Sequence, residues 1–311
     1  MKVRLARGSG DGFGVDDISC AAAGHLGFFA EENVDAAWLD CRGGLAAMNA
    51  VLDGRADAAY AGFGPVIALR AGGRPCRIFV SQARALAQAL VVNAKITSPE
   101  DIRGKAWAVD AIGALSHHMA RLVVRALGIA ERDIRWEAVG PPPLRIAALL
   151  EGRVDASLIR TEEALALHRD CRDRVHRLLD FDELKLLVPL QPHGVLATTE
   201  DHERGNPEML RALSRAMIRA SRALHDDFGA FRSTARSCVR VEVSDQELKT
   251  LWQREHDSGG WAVNGELTPP HWDAQLALYR ELNPELRRVS REELIAGGFV
   301  ATALGELGVH E

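Results

Sequence analysis

A nine-residue phrase written twice constrains this chain more than any other feature: Ala50-Val51-Leu52-Asp53-Gly54-Arg55-Ala56-Asp57-Ala58 returns as Ala148-Leu149-Leu150-Glu151-Gly152-Arg153-Val154-Asp155-Ala156. Each copy reads as the end of an amphipathic helix, a glycine stop, and the entry to a short apolar strand, Ala58-Ala59-Tyr60-Ala61 in one and Ala156-Ser157-Leu158-Ile159 in the other. A helix-glycine-strand idiom can arise twice by chance in an alanine-rich chain. An acidic residue, a glycine, a basic residue and an aspartate kept in register are harder to obtain that way. The expectation is two similar βαβ-like lobes facing each other across a cleft.

The rest of the chain reads as an α/β protein. Residues 2–6 alternate as a strand, and Gly8-Ser9-Gly10-Asp11-Gly12-Phe13-Gly14 breaks it. Asp16 or Asp17 can cap a helix with Ile18, Ala22, Leu26 and Phe29 on one face. A strand over 35–40, the first repeated helix, and a helix with Pro65 at its first position follow, then strands over 77–81 and 89–93. A single helical turn at Pro99-Glu100-Asp101-Ile102 opens the second lobe. Beyond it come a strand over 106–110, a helix over 114–127 closed by Gly128, a strand over 134–139 and the second repeated helix. Residues 194–199 form a returning strand. From Asn206-Pro207 onward the chain is mainly helical, with Met209, Leu210, Leu213, Met217 and Ala220 on one stripe. Crossings near 92 and 194 assign 1–92 with 195–311 to one lobe and 93–194 to the other, joined by a two-stranded hinge.

Composition narrows the function. At 311 residues there is room for two cores. A net charge of −5 and 5% aromatic residues supply neither the basic stripe nor the stacking platform that nucleic acid requires. No apolar run has the length of a membrane span, and Met1-Lys2-Val3-Arg4-Leu5 reads as a strand rather than a signal segment. Cys20, Cys41, Cys76, Cys171 and Cys238 form neither a Cys-x-x-Cys pair nor an even framework, so no structural disulfide or zinc site is expected. Such cysteines suit a reducing compartment. Two locations stay open: cytoplasmic if the chain is complete as written, periplasmic if a signal peptide has been removed.

An ordered set of short motifs carries a resemblance. These are His25-Leu26-Gly27-Phe28-Phe29-Ala30-Glu31-Glu32, Gly43-Gly44, Leu52-Asp53-Gly54-Arg55-Ala56-Asp57, Gly64-Pro65, Pro99-Glu100-Asp101-Ile102-Arg103-Gly104-Lys105, Leu150-Glu151-Gly152-Arg153-Val154-Asp155 and Asn206-Pro207-Glu208. Taken together they resemble the solute-binding proteins of ABC importers for sulfonates, taurine and nitrate, and the related thiamine-pyrimidine synthase group. The resemblance implies a type II periplasmic-binding-protein fold, two α/β lobes closing on a small ligand, and a permease partner. It does not fix the ligand or decide between binding and chemistry.

In such sheets a ligand sits beyond the carboxyl ends of the strands, where helix N-termini point free N–H groups. Four segments occupy such places. In the first, Ser9, Asp11, Phe13 and Gly14 follow the opening strand; their glycine spacing does not spell a dinucleotide fingerprint. In the second, Arg42 and Gly43 open a helix, and the guanidinium can fork onto a carboxylate, sulfonate or phosphate. In the third, Phe63 and Gly64 follow a strand, and Phe63 either covers an apolar part of the ligand or fills the lobe core. The fourth runs from Gly113 to Ser116 and His117, which the resemblance makes contacts for the ligand's anionic end. His117 and His118 point about 100° apart on a helix and are poor joint ligands for a metal. Arg160 and His193 complete the set, and neither metal nor cofactor is expected.

The resembling enzymes leave little to carry over. The thiamine-pyrimidine synthase relatives use a lysine near position 62 and a run rich in cysteine and histidine, and this chain has neither. Cys41 is the nucleophile candidate, since a helix start and Arg42 would lower its pKa; with His117 it forms the catalytic alternative, a lyase-, decarboxylase- or desulfinase-like enzyme acting on a small organic acid. The leading expectation is a binder of a small anionic organic molecule, aromatic ligands included, working by hinge closure.

Overall fold

A computed structural model describes residues 1–8, 14, 18–83, 88–188, 193–265 and 269–311, with the backbone alone for Ala83, His193, Pro270 and His271. The chain forms two compact units. The first is Met1–Leu86 with Gln191–Val239 and Leu248–Glu311, and the second is Ala87–Leu190 with Arg240–Glu247.

The first unit begins with β1 (Lys2–Arg7), α1 (Ile18–His25), α2 (Phe28–Glu31), β2 (Asp35–Asp40), α3 (Gly44–Leu52), β3 (Ala58–Ala61), α4 (Phe63–Ala71) and β4 (Cys76–Ala83). The second holds β5 (Gln88–Asn93), a 3-10 turn (Pro99–Ile102), β6 (Ala106–Val109), α5 (Leu115–Ala126), a second such turn (Glu131–Asp133), β7 (Arg135–Ala138), α6 (Pro142–Leu150), β8 (Ala156–Arg160), α7 (Thr161–Asp170), β9 (Val175–Leu179) and α8 (Phe181–Leu187). Next come β10 (His193–Thr199), α9 (Glu200–Gly205), α10 (Pro207–Asp226), α11 (Phe228–Cys238), α12 (Asp245–Ser258), α13 (Pro269–Leu282), α14 (Arg291–Leu294) and α15 (Phe299–Leu307).

The two sheets share one plan. Their orders are β2-β1-β3-β10-β4 and β7-β6-β8-β5-β9. In each, the first three strands run parallel and the fourth is antiparallel to both its neighbours. The repeated phrase occupies the same place in both. After α3, Gly54 takes φ 70°, the Gly54 N–H donates to Val51 and the Arg55 N–H donates back to the Ala50 carbonyl at 2.8 Å. After α6, Gly152 takes φ 69°, its N–H donates to Leu149 and the Arg153 N–H donates to Ala148 at 2.9 Å. This glycine-terminated helix end needs a left-handed residue, which explains the matched glycines.

The matched aspartates have a structural task as well. The Asp57 carboxylate accepts the Arg4 N–H of β1 at 2.7 Å, and Asp155 accepts the Ala106 N–H of β6 at 2.9 Å. Each aspartate therefore clamps the strand entering after the repeated helix to the middle strand of the parallel set, β1 or β6. Burial pushes the Asp57 carboxyl up, yet the hydrogen bonds and charge of Arg4 outweigh it and hold the group below its ordinary range.

Packing follows the parallel α/β pattern. Ala47, Met48 and Val51 of α3, Phe63 and Ile67 of α4, and Val195 and Ala197 of β10 join Trp272 and Tyr279 of α13 in the first core. Val91, Ala106, Ala108, Leu149, Ile159 and Leu167 join the second. The stripe expected on α10 is buried, Leu210, Leu213 and Ala220 completely. Among the described residues no helix is long and apolar enough to cross a membrane.

Some local expectations change. The helix expected to carry Ile18 through Phe29 is split, because Gly27 sits at φ 85° and ends α1 before α2 begins. Pro65 is the third residue of α4, not its first, still within the turn whose N–H groups lack helical acceptors. The expected strands over 106–110 and 134–139 are shorter, at β6 and β7.

Candidate functional site

In the first unit, the segments leaving β1, β2 and β3 are locked together by backbone contacts. The Gly8 N–H donates to the Tyr60 carbonyl at 3.3 Å, Cys41 N–H to Arg7 at 2.9 Å, and Gly43 N–H to Gly8 at 3.0 Å. A Cβ on Gly8 would lie 2.7 Å from the Gly44 nitrogen and 2.8 Å from the Gly43 carbonyl carbon, so only glycine fits. Gly43 takes φ 87° and starts α3. Arg42 stands exposed beside that start and makes no hydrogen bond or ion pair with a described residue. Arg7, by contrast, pairs with Asp40 and lies over the Trp38 ring.

The second unit builds the segment after β6 from side chains. The Ser116 hydroxyl oxygen accepts the Asp110 N–H at 2.8 Å, leaving the hydroxyl proton to donate. His117 Nδ1 accepts the Gly113 N–H at 3.0 Å, and its ring meets Trp136 of β7 edge-on at 5.0 Å. Burial, and then the Arg121 charge, push the His117 imidazole below its ordinary pKa, with Glu131 pulling the other way. His117 is thus neutral near pH 7 with its proton on Nε2, one hydrogen-bond donor rather than a cation. His118 is buried too, and its pKa falls to about 4, through burial first and then the charges of Arg121 and His117.

Helix starts show what these segments share. The residues preceding α3, α4, α5, α6 and α7 are Gly43, Gly62, Ala114, Pro141 and Arg160, and none places a side-chain cap on its helix. All five helices follow a strand of the parallel set. Elsewhere the starts are mixed: α8, α9, α11 and α14 are closed by Asp180, Thr199, Asp227 and Ser290, whereas α2, α10 and α15 have no side-chain cap. At the carboxyl ends of the parallel strands the N–H groups are therefore left to another acceptor. Large apolar side chains stand exposed at the same ends: Leu45 in the first turn of α3, Ile112 before α5 and Leu144 in the first turn of α6.

Several sequence candidates take other places. Phe63 is completely buried in the first core against Tyr279, at 6.3 Å between ring centres, so it packs the lobe and covers no ligand. Gly64 lies inside α4, where a Cβ would be 3.7 Å from the Tyr279 ring. Arg160 reaches Glu163, 3.7 Å away and nearly buried. Cys41 corrects the activated-thiol expectation: burial pushes its thiol pKa up, Arg55 pulls it down and Asp40 raises it again. Gly14 is buried, while Ser9, Asp11 and Phe13 lie outside the described residues. His193 starts β10 opposite Ala83, and its side chain is not described. Gly113, Ser116 and His117 come together as one group, as do Arg42 and Gly43.

Sequence reasoning missed Trp136, Leu45, Ile112 and Leu144. The apolar residues in the first turns of α3 and α6 were the available signal; nothing in the sequence ties Trp136 to His117.

Two sheets of one order, with open helix starts at the ends of their parallel strands, make up the periplasmic-binding-protein fold. Solved structures share that two-lobed α/β fold. A protein from Bordetella bronchiseptica RB50 matches with a TM-score of 0.82 at 21% identity, over 99% of this chain and 98% of that one. The alkanesulfonate-binding protein SsuA from Xanthomonas axonopodis pv. citri, bound to MOPS, matches at 0.71 and 18% identity over 97% of both chains. The periplasmic aliphatic sulphonate binding protein SsuA from Escherichia coli matches at 0.67 and 16% identity, over 96% of this chain and 99% of that one. The sequence model of the NMT1/THI5-like family matches residues 17–227, and the chain belongs to that family. No curated protein matches it by sequence.

Proposed function

We infer that this chain is a solute-binding protein for a small organic anion with an apolar portion, a sulfonate or carboxylate being the best fit. The uncapped starts of α3, α4, α5, α6 and α7 carry the reading. A protein gives up roughly 1 kcal/mol per missing cap, and a bound anion can satisfy the same N–H groups. Arg42 adds a charged fork beside α3, and Ser116 and His117 add neutral donors at α5. Leu45, Ile112 and Leu144 suit an organic remainder better than an inorganic ion. Capture by lobe closure and delivery to an ABC permease follow from the family resemblance and belong to the same reading. A thiol pushed up at Cys41 favours binding over nucleophilic chemistry.

The test is a thermal-shift screen of sulfonates, carboxylates, phosphonates and pyrimidines, with each hit titrated calorimetrically and examined by mass spectrometry. A binder stabilises the protein and returns unchanged. Arg42→Ala should weaken it by about 10- to 100-fold, the range for losing a charge-assisted hydrogen bond. Unchanged affinity in both Arg42→Ala and Ser116→Ala would remove the site, and consumption of the hit would make the protein an enzyme.

A further inference from the structure

A second cluster of chemistry-bearing side chains lies in the first unit, on elements that carry none of the solute-site candidates. His225 and Asp226 end α10, and His310 lies beyond α15. His225 Nδ1 is 2.8 Å from one Asp226 carboxylate oxygen, and His310 Nε2 is 2.9 Å from both. One ligand atom from each of the three residues lies within 4.8 Å of the others. Two imidazole nitrogens and a carboxylate are thus already converged on one point.

The His225 ring and the His310 backbone are held independently of that point, and His310 Nδ1 lies 3.0 Å from the Glu311 carbonyl. The His310 N–H donates to Asn264 Oδ1 at 2.9 Å, and Asn264 Nδ2 returns a bond to the His310 carbonyl at 3.0 Å. Arg222 ties down the preceding residues through the Leu307 carbonyl at 3.2 Å and the Gly308 carbonyl at 2.6 Å. The His225 ring stacks on His256 at 4.3 Å between ring centres and meets Trp261 edge-on at 6.3 Å. Imidazoles fixed by their surroundings lose little freedom on binding an ion, which is what preorganised metal ligands provide. The three side chains also keep a path to solvent, with exposures of 22%, 52% and 21% for His225, Asp226 and His310.

We propose that His225 Nδ1, His310 Nε2 and the Asp226 carboxylate form a binding site for a divalent transition-metal ion of the zinc class. The donor set selects the class: two imidazoles favour zinc, cobalt or nickel over magnesium and calcium, which prefer all-oxygen sites. Three protein ligands leave a position for water or a fourth donor. The bound ion cross-links the end of α10 to the segment after α15, so the site is structural rather than part of solute binding.

The test uses the full chain, free of any histidine tag and stripped with chelator, titrated with Co²⁺ and Zn²⁺. The expected result is one Co²⁺ per chain with visible d–d absorption, and Zn²⁺ raising the melting temperature. His310→Gln and Asp226→Asn should each lower the affinity at least about tenfold. Substituting His168, an exposed histidine on α7, controls for casual surface binding and should change nothing. Nitrogen NMR of the wild-type protein reads the same site without relying on variants, since Zn²⁺ should shift His225 Nδ1 and His310 Nε2. Absence of those shifts, affinity undiminished in both variants, or loss of binding on substituting His168 would overturn the proposal and leave the three side chains as a hydrogen-bonded pin.

Discussion

The buried His118 makes the second unit sensitive to acid in a way that can be calculated. Its folded-state pKa is about 4 against an ordinary 6.5, because burial, then Arg121 and His117, penalise the imidazolium. Between these values the unfolded chain binds a proton that the folded chain does not, so stability falls as pH drops through that window and rises with pH across it. The full difference corresponds to roughly 3 kcal/mol, of which about 2 kcal/mol is already lost near pH 5 relative to about pH 7.5. The measurement is urea unfolding at both pH values, followed by Trp107 and Trp136, which lie on β6 and β7 of the second unit. His118→Leu removes the titration while keeping an apolar group on the buried face of α5. Its pH-dependent loss should be smaller than the wild-type loss by about 2 kcal/mol. His117 stays in both proteins and cancels in the comparison. Equal pH dependence in the two proteins, or an NMR titration that places His118 near its ordinary value, would refute the reasoning.

Gly8→Ala should destabilise the first unit by about 1–3 kcal/mol, as overpacking against backbone does, and should weaken solute binding, because the added carbon meets Gly43 and Gly44; denaturation and calorimetry on the variant check both effects. Asp57→Ala and Asp155→Ala should each cost about 1–3 kcal/mol by stripping a strand N–H of its acceptor, and unfolding curves showing one costly and the other neutral would break the equivalence of the two clamps. Cys41 should alkylate more slowly than a model thiol near pH 7, as read by mass spectrometry, since burial pushes its pKa up; labelling at or above the model rate would restore it as a candidate nucleophile.

What could be read from the sequence was local, and what could not depended on distant partners. The glycines and aspartates of the repeat answer to their own helix end and to one neighbouring strand, so a short window contains most of their physics. The strands over 35–40 and 58–61 were legible for the same reason. Phe63 shows the limit: an aromatic following a strand-end glycine can face the ligand side or the core, and what settles it is Tyr279, more than two hundred residues along the chain. His117 depends likewise on Trp136, and the metal-class cluster on a histidine near the end of the chain meeting the end of α10. The strand β9 gave no signal because its alternation is diluted by His176 and Arg177.

The uncapped helix starts are legible in the sequence. Gly43, Gly62, Ala114, Pro141 and Arg160 stand where a stability-driven sequence would favour serine, threonine, aspartate or asparagine. A cap at such a position would satisfy the same N–H groups that an anion needs, so capping and binding compete for one set of donors. On this reasoning a serine or aspartate introduced at Gly43 would not simply stabilise α3. The backbone there requires φ 87°, so a larger residue is strained, and a carboxylate would also repel the solute. A missing cap therefore carries functional information only through its place at the end of a parallel strand, since away from those ends the closed starts of α8, α9, α11 and α14 stand beside uncapped ones at α2, α10 and α15.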